Sequence, residues 1–101
     1  VTSERQIEQL RSVLYELDLQ AGQLLVERVA TVRALWRIKL GQHEPIRDIG
    51  QEYKRTCQLT DDLSGRLSAP VARALVRELM RLTREELLAD GSPPPPDMEA
   101  F

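Results

Sequence analysis

The sequence predicts an all-α protein with three helices per chain, the first very long, and two chains paired as a homodimer. Three observations carry this. Apolar residues recur every three or four positions across residues 3–42 without a proline, the period of a helix face turned to a partner. Two shorter stretches of the same period follow, punctuated by turn residues. Finally, a first helix of that length spans about 60 Å, roughly twice the diameter of a compact 100-residue domain. Its own chain leaves about half of its stripe wet, a patch that monomers seldom tolerate, and a two-fold copy laid beside it removes the problem.

In the first helix Ser3 is the expected N-cap and Glu4 complements the macrodipole. Ile7, Leu10, Leu14, Leu17, Ala21, Leu24, Leu25, Val32 and Leu35 form the stripe, and Gly41 stands where helices end. Residues 42–45 make a short connection, because Pro45 pushes Glu44 out of helical geometry. Asp48-Ile49-Gly50-Gln51 fits a capping box opening a second helix. That helix is expected to carry Ile49, Tyr53, Thr56, Cys57 and Leu59 inward and to fray over 61–65. A turn through Ser64-Gly65-Arg66 leads to Ser68 as cap and Pro70 in the first turn of helix three. Its expected inner positions are Val71, Leu75, Leu79, Leu82 and Leu87, ending near Ala89. Residues 1–91 thus form the helical unit. Residues 92–101, with prolines at 93–96, read as a mobile or extended tail.

Composition bounds the function. With 42% hydrophobic and 30% charged residues the chain is a folded, helix-rich one. A net charge of −2 argues against nucleic-acid binding by phosphate neutralisation. The run Arg33, Arg37, Lys39 has a solvated helix face as its ordinary meaning. The lone Cys57 builds neither an internal disulfide nor a cysteine cluster and is expected to be a small, at least half-buried apolar residue. No apolar run reaches membrane-span length and no signal-peptide core opens the sequence, so a cytoplasmic protein without membrane contact is expected.

The unusual feature is charge on or beside the apolar stripe. Arg28 follows Ile7, Leu14 and Ala21 at heptad spacing, and Lys39 follows Leu25 and Val32. Cations facing a core cost free energy unless an anion meets them. The two are eleven residues apart, so they leave the helix within about 20° of one another and roughly 16 Å apart along its axis. Such a pair can hold a small dianion. Arg11 points about a quarter-turn away and fits that pocket less easily, unless it comes from a neighbouring chain's antiparallel helix. Asp48 and Glu52, one turn apart, can face the same cavity, although capping alone accounts for Asp48 and a surface position for Glu52. Arg47 can pair with Asp48 or with a bound carboxylate. The single histidine, His43, falls in a connection, and no nucleophile–base set, phosphate loop or metal-ligand spacing occurs. An enzyme made of these residues acts by holding and polarising its substrate.

Leu10-Arg11, Leu17-Asp18, Glu27-Arg28, Ile38-Lys39-Leu40 and, above all, His43-Glu44-Pro45-Ile46-Arg47-Asp48-Ile49 with Glu52 resemble the helical class of chorismate mutases over about residues 4–88. That resemblance implies an intertwined homodimer with two sites and a cofactor-free rearrangement of chorismate to prephenate. It implies that Arg28 and the partner copy's Arg11 bind the substrate carboxylates. Lys39 would bond a carboxylate and the ether oxygen, while Asp48 and Glu52 hold the C4 hydroxyl. In helix three the family pattern has a small hydroxyl residue, matched by Thr83, and four positions later a donor to the ether oxygen. Here that position is Leu87, which cannot donate, and Glu86 stands beside it. Either a register shift brings in a protonated Glu86, or the second donor is absent.

Three further readings stay open: a mutase for 4-amino-4-deoxychorismate, an isochorismate pyruvate lyase, and a non-catalytic helical dimer that binds or regulates another protein. The last explains the stripe but leaves Arg28 and Lys39 on it without a purpose.

Overall fold

The computed structural model describes residues 2–41 and 49–91, of which 49–52 are described in backbone alone. Among these residues there are three helices and no strand: α1 (Thr2–Leu40), α2 (Ile49–Leu63) and α3 (Ala69–Ala89). The expected connection at 42–45, the capping aspartate Asp48 and the tail at 92–101 lie outside the described residues.

α1 runs for 39 residues, with Glu4 in its first turn and Arg37 and Lys39 in its last, charges that suit the two ends of the helix dipole. Gly41 closes it by donating its N–H to the Arg37 carbonyl at 3.1 Å. Every residue from 2 to 24 is exposed, and cover begins only at Leu25. The core therefore sits on the C-terminal half of α1. Val29 and Trp36 pack there with Leu87 of α3, flanked by half-buried Leu25 and Val32.

α3 lies between the other two helices, touching both. Its contacts advance along α1 in the same chain sense, from Arg28 against Met80 and Thr83 to Arg33 paired with Asp90. The stripe it buries differs from the expected one. Ala72, Val76, Thr83 and Leu87 are buried, whereas Val71, Leu75 and Leu82 are exposed and Leu79 is half-buried. A helix held between two neighbours approaches them most closely where its side chains are small. Ala72 at 0% exposure and Thr83 at 2% occupy those lines, and the leucines flank them. α2 is turned likewise. Thr56, Leu59, Thr60 and Leu63 are half-buried, but Tyr53 and Cys57 are exposed, which corrects their expected inward placement. The reason is that α2 rests mainly on α3, so only the side facing α3 is covered.

The turn between them is built from backbone bonds, Arg66 and Leu67 both donating to the Leu63 carbonyl at 2.9 Å. Ser68 opens α3 in an extended conformation but makes no side-chain cap bond, and Pro70, two residues on, fixes the first turn instead. At the far end Asp90 donates to the Glu86 carbonyl, and Gly91, at φ 83°, to that of Leu88. This left-handed position is one that glycine adopts without penalty.

The molecule measures 66 × 30 × 15 Å with a radius of gyration of 17.7 Å. A compact chain of this length has about 13 Å. The excess is the bare half of α1.

Candidate active site

Arg28 and Lys39 both turn inward on α1, and their burial corrects the solvated-face meaning for Lys39. Arg33 is also partly covered and pairs with Asp90, leaving Arg37 as the exposed member of that run. Lys39 retains 9% of its exposure, in the last turn of α1. Burial of that kind keeps its long stem packed and leaves little freedom to its ammonium.

Arg28 is the better defined of the two. Its guanidinium donates through Nη1 to Thr83 Oγ1 at 2.5 Å and through Nη2 to Met80 Sδ at 3.1 Å. Thr83 Oγ1 in turn donates its hydrogen to the Leu79 carbonyl at 2.6 Å, which leaves its lone pairs facing the arginine. Both of these partners are uncharged. No carboxylate among the described residues pairs with Arg28, and loss of water pushes its pKa below the usual arginine value. A half-buried cation without a counter-ion is held at a cost that an incoming anion removes.

One turn beyond Thr83, Leu87 is fully buried in the cluster with Val29 and Trp36. Glu86 is exposed and lines a groove of about 650 Å³ between α1 and α3, beside Arg33 and Glu85. In this chain the inner position thus holds the hydrocarbon and the carboxylate lies outside. A second hollow of about 650 Å³ between α2 and α3 is edged by Arg73, Arg77, Arg81 and Arg84. Arg28, Lys39 and Thr83 line neither hollow.

Arg11 is exposed and pairs with Glu8 at 2.9 Å. It precedes Arg28 by seventeen residues on one straight helix, which sets it about 25 Å away along the axis. One chain therefore does not bring the two arginines together. Arg47 and Asp48 lie outside the described residues, as does the Glu52 side chain.

Two features escaped sequence reasoning. Met80 serves as a soft acceptor for Arg28, and no local pattern marks a methionine for that. Trp36 is buried at 4% exposure, its indole nitrogen unpartnered among the described residues. Its position three residues before Lys39 and four after Val32 was the available signal. Among the described residues no group of acidic, histidine or cysteine side chains is arranged to hold a metal, and no helix is long and apolar enough to cross a membrane.

Fold and site together define a class: among the described residues, three helices, the longest of which turns Arg28 inward with no carboxylate partner among them. The family model described as chorismate mutase type II matches residues 10–86. This chain belongs to that helical chorismate mutase family. The match opens one residue before Arg11 and closes one before Leu87. Among curated proteins and among solved structures, no match was found. Membership supports chorismate mutase activity, an isomerase-type chemistry.

Proposed function

We propose that the protein is a homodimeric chorismate mutase that rearranges chorismate to prephenate without a cofactor. The observation that supports this most is Arg28, half-buried, bonded to Thr83 and Met80, and without a carboxylate partner among the described residues. A substrate carboxylate supplies the missing anion. The second carboxylate is met by Arg11 of the other copy, which the length of α1 keeps out of reach within one chain.

The chemistry follows from where charge moves. In the rearrangement a C–O bond breaks while a C–C bond forms, and negative charge grows on the ether oxygen. A fixed ammonium at Lys39 stabilises that oxygen more in the transition state than in the ground state. The arginine pair selects the compact conformer in which the two ends of the substrate meet, removing part of the entropic barrier. Asp48 and Glu52 hold the C4 hydroxyl, and Arg47 steadies Asp48 or a carboxylate.

Chorismate, 4-amino-4-deoxychorismate and isochorismate are to be given separately to the purified protein, with loss of substrate followed by absorbance and products identified. The account expects prephenate from chorismate at the highest kcat/KM. Preference for the amino substrate would reassign the protein within the same rearrangement, and pyruvate release from isochorismate would make it a lyase. Inertness toward all three would leave the non-catalytic dimer.

A further inference from the structure

The resemblance to the helical chorismate mutases implies a donor to the ether oxygen at the position of Leu87, which cannot donate, and Leu87 shares its buried cluster with Trp36 and Val29. The Trp36 ring is 4% exposed, and its Nε1–H is buried with no acceptor among the described residues. An indole N–H only donates, and a buried donor left unpaired is uncommon in native structures. Trp36 follows Arg28 by eight residues and precedes Lys39 by three, so it falls between the two cations along α1 and within about a quarter-turn of each.

We propose that Trp36 Nε1–H is an uncharged hydrogen-bond donor to the ether oxygen of the bound dianion, working beside Lys39 in place of the donor that Leu87 cannot be. This rests on the mutase reading above. It explains why an aromatic ring with a polar edge occupies a position where an aliphatic residue fills space without leaving an N–H unpaired. Because charge on the ether oxygen grows as the bond breaks, the contribution belongs mainly to the transition state and is read in kcat rather than KM.

Trp36 is the single tryptophan of the chain, so its indole gives one ¹H–¹⁵N cross-peak. In the wild-type protein, titration with prephenate is expected to move that peak in step with the Thr83 amide. Movement of the Thr83 amide with the indole unmoved overturns the assignment. If neither moves and chorismate is not consumed, the mutase reading fails and takes this inference with it. In Trp36→Phe, which keeps the ring and removes the N–H, kcat is expected to fall about tenfold with KM within about twofold. Adding Leu87→Gln to that variant is expected to restore part of the loss. Unchanged kcat in Trp36→Phe, with a melting temperature equal to or above wild type, identifies the N–H as a structural orphan and overturns the proposal. Should either variant fail to fold, the wild-type titration decides.

Discussion

At the scale of single residues, Thr83 performs two tasks with one oxygen. It donates to the Leu79 carbonyl and accepts from Arg28, and so fixes the guanidinium without neutralising it. Thr83→Val keeps the shape and removes the acceptor. Arg28 then has only the Met80 sulfur among the described residues. The expected result is a KM for chorismate raised about tenfold and a stability loss of about 1–3 kcal/mol, the usual result of stranding a buried polar partner. Steady-state kinetics and a urea melt check the two effects separately. Lys39→Ala should be costlier to catalysis, lowering kcat by about 10²–10³ or more if its ammonium acts like an oxyanion-hole donor. Turnover left intact in that variant, with the protein still folded, would remove Lys39 from the site.

At the scale of elements, α3 is stabilised from its ends and its buried stripe. Gly91 sits at φ 83°, so Gly91→Ala should cost about 1 kcal/mol. Leu87→Ala, which empties a fully buried position beside Val29 and Trp36, should cost about 2–5 kcal/mol. Thermal melts of both order them, and a smaller loss for Leu87 than for Gly91 would contradict the packing described. The extents of α1 and α3 were legible because periodicity, Pro70, Gly41 and Gly91 mark them in the residues themselves. The rotation of each helix was not. Leucines at 75 and 82 advertise an inner face, yet Ala72 and Thr83 occupy it, because closeness of approach depends on neighbours that local sequence does not name. Arg28 and Lys39 were legible for the opposite reason: cations on or beside an apolar stripe are conspicuous. Trp36 stood outside the expected stripe, and an unpaired N–H becomes visible only once its surroundings are known.

At the scale of the molecule, residues 2–24 of α1 have no cover among the described residues. Ile7, Leu10, Leu14 and Leu17 are all about half exposed or more, Leu10 reaching 64%. A contiguous apolar stripe of this kind marks an interface. A two-chain mass is expected in sedimentation at micromolar concentration. Leu10→Glu with Leu17→Glu should lower that mass to one chain and abolish turnover together with it. Loss of the dimer with full activity would separate architecture from catalysis. A dianion bound as proposed would also feed back on stability, because it would relieve the desolvated Arg28. Saturating prephenate should raise the melting temperature, by an amount equivalent to about 2.7 kcal/mol at a hundredfold excess over Kd.

Each proposed site joins Arg28 of one chain to Arg11 of the other, two residues some 25 Å apart along a single helix. Arg11→Ala and Arg28→Ala proteins, each nearly inactive alone, are to be unfolded together and refolded as a mixture. Random pairing puts one intact site in each mixed dimer, so chorismate turnover should return to about a quarter of the wild-type value. A mixture no more active than its two parents would contradict the shared site.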